Sequence, residues 1–224
     1  MCFLTFFLHL IISFYLPFDY LITWNIITIQ DFFKYLAWFL ISGFGVRCLY
    51  YGTWYLSESQ SNLCYMGFKS TSNEIEDWSH FQNANAFKHE MSTNLKEGFD
   101  SWNTKTAVWL RKIVYDQVSS NKVLCTFFVS AFWHGWYPHY YHTFAFGAIF
   151  THISRMGRKK IRPLFLNTPF KVTYDLVTAF LTKFLLTYHT LAHATLDFQK
   201  SYLIWRKLYF FGHLAIVGLL LKYV

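Results

Sequence analysis

Hydrophobic residues run in four long zones along this chain, divided by one wetter insert. Residues 1–30 hold a single charge, Asp19 beside Pro17, so the pattern predicts one long helix or two shorter pieces. Residues 32–56, "FFKYLAWFLISGFGVRCLYYGTWYL", form a second zone interrupted by Arg47. An unpaired charge at mid-bilayer costs at least ~2.5 kcal/mol, so Arg47 must face protein or snorkel. The third zone, 123–154, has no Asp, Glu, Lys or Arg, and the fourth, 170–196, contains Asp175 and Lys183. A last run, Leu208 to Leu221, has 14 residues. It crosses a bilayer only if helix through Arg206 and Lys207 lengthens it, since a span needs about 20 residues.

The insert, roughly 57–121, holds eight acids, six bases and no long apolar run. Within it "NTKTAVWLRKIVYDQV" places Ala107, Leu110 and Val114 on one stripe, with Trp109 and Ile113 alongside. The stripe predicts an amphipathic helix in the interface or against the membrane body. Asn103 precedes it, where the ordinary role of an Asn is the N-cap.

The third zone does not read as one straight helix. Pro138 disfavours helical backbone at Tyr137, and each half is too short to cross a ~30 Å core alone. The expected result is a span broken next to His134. Broken helices survive at membrane depth only when buried in protein or lining a polar cavity. Ser130 and Ala131 lie one turn before His134, and Gly135 follows it, leaving room for a reactant. For His139, His142, His152 and His213 the expectation is a structural bond to a backbone carbonyl. His139/His142 and His189/His193 have metal-ligand spacing, but there is no HxxHH and no intervening Glu, so no metal is assigned. A lone His134 acting as general base is chemically simpler and needs only a neutral imidazole.

Composition agrees with a membrane body. The chain of 224 residues is 54% hydrophobic, 23% aromatic and 14% charged, against roughly 25% charged in soluble domains. The expected architecture is an all-α, polytopic helical bundle, a single membrane domain over 1–224 crossing four to six times. No basic n-region precedes the first run, so it reads as a membrane element and not a signal peptide. Cys2, Cys48, Cys64 and Cys125 follow no framework spacing. Residues 155–224 carry eleven Lys and Arg against two acids, while 1–154 carry nine against ten. The cluster "RMGRKKIRP", 155–163, is expected to be a loop, cytosolic by the positive-inside rule. Nothing else supports nucleic-acid binding.

Two blocks of residues carry a family resemblance. "SAFWHGWYPHYYHTF" resembles the signature of the membrane-bound O-acyltransferases, in particular their lysophospholipid acyltransferases. Upstream, "WSHFQNANAFKHEMSTNLKEGFDSWNTKTAVWL" is similar to the same group's pattern at Trp78, Asn83, Asn85, Glu90, Trp102, Asn103, Thr106, Trp109 and Leu110. Ser79 stands where the pattern has Asp, and His139 where it has Gly. The family is about twice this long, so these residues resemble its C-terminal portion, with a truncated, inactive membrane protein as the non-enzymatic alternative.

The resemblance implies the chemistry. It makes His134 the catalytic histidine and Asn103 its partner, bonding either the imidazole or the developing oxyanion. Trp102, Trp133, Tyr137, Tyr140, Tyr141, Asn85 and Glu90 become substrate-binding candidates. The implied reaction moves a fatty acyl group from acyl-CoA, a co-substrate, to the free hydroxyl of a lysophospholipid, with no resident cofactor. Sterol, diacylglycerol or protein acceptors are the alternatives within the family. The implied setting is a multi-pass protein of the endoplasmic reticulum membrane, among membrane lipids.

Overall fold

The computed structural model describes residues 1–72 and 75–223. The first zone is two helices, α1 (Cys2–Tyr15) and α2 (Phe18–Thr23), parted at Pro17. Helix α3 (Ile29–Leu63) is one 35-residue rod, about 52 Å long, so it outruns a ~30 Å hydrocarbon core. Thr28 and Asp31 form a reciprocal capping box at its start: Thr28 Oγ1 accepts the Asp31 N–H, and the Asp31 carboxylate accepts the Thr28 N–H. The insert therefore begins on helix. A two-stranded antiparallel ribbon follows, β1 (Ser70–Ser72) with β2 (Ile75–Asp77), then short helices α4 (Ala86–Glu90), α5 (Leu95–Asp100) and α6 (Thr104–Leu110).

The amphipathic segment is more broken than its stripe implied. Helix α6 passes into a π-helical turn, Arg111–Tyr115. Leu110 and Val114 of the stripe are buried, while its third member Ala107 is exposed, as are Trp109 and Ile113. After it come α7 (Lys122–His134), α8 (Pro138–Lys160), α9 (Lys171–Thr195), α10 (Phe198–Lys207) and α11 (Phe211–Tyr223).

Two expectations fail here. The basic cluster is not a loop, because α8 continues through Arg155, Arg158, Lys159 and Lys160. Long basic side chains are good helix formers and complement the negative C-terminal end of the helix. Nor does helix through Lys207 extend the last apolar run. Tyr209 and Phe210 take left-handed backbone and separate α10 from α11. Lys207 instead donates to the carbonyls of Leu21, Ile22 and Trp24, capping the C-terminal end of α2.

Among the described residues, two segments are long and apolar enough to cross a membrane, Cys2–Thr23 and Ile29–Leu63. The first shows its apolar surface outward, with Phe3, Phe7, Leu10 and Phe14 exposed. A main core joins α2, α3, α9 and α10 through Leu21, Tyr35, Phe39, Tyr188, Leu191 and Ile204. A smaller one joins α5, α8, α9 and α11 through Leu95, Phe150, Leu186 and Ile216. Helices α3 and α9 approach closely at Gly43, where an added Cβ would overlap the Thr187 side chain. Small residues permit such contacts between apolar helices.

Candidate active site

Arg47 sits one turn beyond Gly43 and solves its burial by pairing. Its Nε and Nη2 donate to the two carboxylate oxygens of Glu90 at 2.8 and 3.0 Å, and Nη1 donates to Thr187 Oγ1 at 3.1 Å. The Tyr51 hydroxyl adds a bond to Glu90 Oε1 at 2.8 Å. Burial opposes the Glu90 charge, yet Arg47 outweighs it and holds the carboxyl below its usual range. This cluster pins α4 to α3. Its neighbour His89 donates from Nδ1 to the Gly98 carbonyl at 2.8 Å, in the arrangement that leaves the carbonyl as acceptor. Burial pushes His89 down to about 4 and keeps it neutral.

Above this pair lies Trp102, ringed by Tyr50, Tyr51, Trp54 and His89 at centroid distances of 5.5, 5.4, 4.8 and 5.0 Å. That box sets the position of the next residue, Asn103. Asn103 occupies the N-cap position of α6 with left-handed backbone (φ 49°), which Asn tolerates, but its side chain makes no cap bond. The cap comes from Asn83, whose Oδ1 accepts the Lys105 N–H at 2.8 Å. Asn83 Nδ2 is then left as a donor, and it gives its hydrogen to Asn103 Oδ1 at 3.0 Å. The orientation of Asn103 follows from this chain. Its oxygen is occupied, and its NH2 end has no hydrogen-bond partner among the described residues.

Helix α7 ends at His134 because Gly135 has φ +121° and ψ −174°, a conformation only glycine adopts easily. Tyr137 is extended (ψ 124°) and Pro138 opens α8, as the restriction before proline demands. His134 stands at this break, half-buried, with its ring stacked on Phe144 at 4.9 Å. Trp133 and Tyr140 lie 4.8 and 5.5 Å from it. His134, Asn103 and Trp102 line one cavity of about 330 Å3, together with Ser130, Tyr50 and His193.

The other candidates fall elsewhere. Glu90 and Asn85 are not on the cavity wall; Glu90 pairs with Arg47, and Asn85 caps α4 by accepting the Lys88 N–H at 2.9 Å. Trp133 lines a shallow hollow with Lys105, Thr106 and Trp109. Tyr140 touches His134 and His193, whereas Tyr137 is exposed and Tyr141 packs near Phe128.

Three of the four histidines expected to bond carbonyls have other partners. His139 stacks on Phe198 and His142 on Phe146, and His213 Nδ1 meets the Tyr188 hydroxyl at 2.5 Å. The carbonyl partners belong to His9, His89 and His189 instead. Aromatic stacking offers these rings an apolar face in a chain rich in Phe, a choice that i,i+3 spacing cannot reveal. His89 and His193 are cavity residues that sequence reasoning passed over as site members. Among the described residues no three His, Cys, Asp or Glu side chains gather as a metal site.

Residues 1–193 match the membrane-bound O-acyltransferase family. The chain is 31% identical over 222 residues to "Membrane-bound glycerophospholipid O-acyltransferase 2" of Rattus norvegicus, covering 98% of this chain and 43% of that protein. It is 32% identical over 203 residues to "Lysophospholipid acyltransferase" of Saccharomyces cerevisiae, covering 84% and 33%. It is 34% identical over 172 residues to "Lysophospholipid acyltransferase 6" of Drosophila melanogaster, covering 75% and 24%. The chain thus spans less than half the length of the curated relatives it matches.

Proposed function

Because the chain belongs to the membrane-bound O-acyltransferase family, we propose that it carries the acceptor-activating site of a lysophospholipid acyltransferase, with fatty acyl-CoA as donor. The observation that carries this reading is that His134 and Asn103 line one cavity, with Asn103 Oδ1 already bonded to Asn83. The relatives' names supply the substrate class.

In this reading the His134 imidazole takes the proton of the glycerol-backbone hydroxyl. The oxygen attacks the thioester carbonyl, the new C–O bond forms, and the C–S bond breaks. The imidazolium then returns its proton to the CoA thiolate, so the enzyme ends as it began. General-base help is typically worth 10²–10⁴-fold. Asn103, with Oδ1 committed to Asn83, presents a donor, which suits the negative charge developing on the carbonyl oxygen. Phe144 stacks a ring face on the histidine, which stabilises its transient cation, while Trp133 and Tyr140 pack beside it. A thioester requires neither a metal nor a covalent enzyme intermediate. Trp102 positions Asn103, and Glu90 acts one layer further out by fixing Arg47 and α4. The site belongs in the endoplasmic reticulum membrane, with the basic end of α8 toward the cytosol.

The test is an acyl-transfer assay on membranes containing the full-length gene product. A labelled fatty acyl-CoA is offered with lysophospholipids of several headgroups, a sterol and a diacylglycerol. Acylation of a lysophospholipid is expected; acylation of the sterol or the diacylglycerol alone would overturn the assignment.

A further inference from the structure

His134 has a second histidine against it that the reaction as written does not use. His193, on α9, lies edge to face with it, with ring centroids 5.3 Å apart and planes at 82°. The Tyr50 hydroxyl, from α3, is 3.4 Å from His193 Nε2, within hydrogen-bond reach in either proton arrangement. Tyr140 closes another side at 4.8 Å. Tyr50, His193 and His134 all line the cavity. Three helices distant in sequence thus converge on a chain of one hydroxyl and two imidazoles.

A base histidine needs its ring orientation fixed and its imidazolium stabilised, tasks usually given to a carboxylate. Among the described residues no carboxylate and no backbone carbonyl is hydrogen-bonded to the His134 ring. A carboxylate in this apolar wall would be a permanent buried charge, which is expensive when the base is neutral. A neutral imidazole avoids that cost and still answers the cation when it forms.

We propose that His193, backed by Tyr50, is a positioning residue for His134 in the acyl transfer, a role that rests on the reaction assigned above. His193 holds the His134 ring plane and turns its own π face or lone pair to the imidazolium. The proton runs from acceptor hydroxyl to His134 and on to the CoA thiolate, and His193 gains and loses none. Tyr50, which both donates and accepts, adjusts to the two charge states of the pair.

Three variants of the full-length gene product test this in membranes: His193→Phe, which keeps a ring and removes both nitrogens; His193→Gln, which restores a polar end; and Tyr50→Phe. The expected result is a kcat about 10²-fold lower for His193→Phe, within the range of acid–base assistance, with KM for both substrates nearly unchanged. His193→Gln should recover part of that loss, and Tyr50→Phe should lose severalfold in kcat alone. Unchanged kcat in His193→Phe, a loss confined to KM, or no recovery by Gln would overturn the proposal. If His193→Phe fails to accumulate, Tyr50→Phe decides, since it removes one oxygen and leaves packing intact. An inactive His134→Ala beside a fully active His193→Phe would sink this inference alone, whereas an active His134→Ala would sink the reaction itself.

Discussion

Asn83 caps helix α6 in place of Asn103, accepting the Lys105 N–H at 2.8 Å while donating to Asn103 Oδ1 at 3.0 Å. Two residues twenty positions apart therefore divide the work that one was expected to do, and Asn103 is released toward the cavity.

The two roles separate on substitution. Asn103→Gly removes the carboxamide and keeps an easy left-handed backbone. It should cost roughly 10²-fold in turnover if the amide meets the oxyanion. Thermal stability in detergent should stay close to that of the parent. Asn83→Ala should instead lose about 1 kcal/mol of stability, as caps do, together with part of the activity. A destabilised Asn103→Gly that still turns over normally would return Asn103 to the role of a cap.

Glu90 belongs to the cluster that joins α4 to α3. Both of its oxygens are engaged, by Arg47 and Tyr51. Glu90→Ala leaves the Arg47 guanidinium buried without its counter-charge, and removing one partner of a buried pair typically costs about 3–5 kcal/mol. Thermal unfolding of the solubilised protein should show that loss. KM for either substrate should not change in whatever fraction remains folded. A rise in KM with unchanged stability would mark Glu90 as a substrate contact after all.

The coarse architecture was legible because membrane burial imposes long apolar runs, and Gly135 and Pro138 mark the break beside His134 through backbone constraints alone. What stayed hidden depended on contacts between distant segments. No local spacing announces that Asn83 folds over the start of α6, or that α9 brings His193 to His134. The ends of the long helices misled for a related reason: basic residues favour helix in α8, and Lys207 found carbonyls on α2 that the sequence could not place beside it. Helical periodicity in 103–118 described the buried positions Leu110 and Val114 correctly, but Ala107 of the same stripe is exposed and the π-helical turn between Arg111 and Tyr115 was missed.

Gly135 predicts a local effect on the site. At φ +121° an L side chain is strained by about 1–3 kcal/mol. Gly135→Ala should lower thermal stability by that order and, because His134 precedes it, depress acyl transfer as well. Parental stability and rate in this variant would show that the end of α7 is less constrained than its backbone indicates.

His89 predicts an acid limb in stability. Its pKa falls from 6.5 to about 4 on folding, chiefly through burial, with Glu90 opposing and Lys183 and Arg47 assisting. The unfolded chain therefore binds a proton that the fold refuses, so stability is full above about pH 6.5 and drains as pH falls toward 4. His89→Gln retains a donor for the Gly98 carbonyl without titrating, and should flatten that slope in thermal melts. An identical pH dependence in parent and variant would remove His89 as its source.

The most direct measurement is acyl transfer from a labelled fatty acyl-CoA to lysophospholipid by the full-length gene product carrying His134→Ala, set beside the parent and His139→Ala in the same membranes. His134→Ala should insert normally and lose all detectable transfer, because the ring supplies a proton acceptor at the cavity wall. His139, stacked on Phe198 and absent from that wall, should be replaceable with substantial activity kept. Continued transfer by His134→Ala, or loss of activity in His139→Ala at equal membrane abundance, would contradict the assignment of His134 as the base.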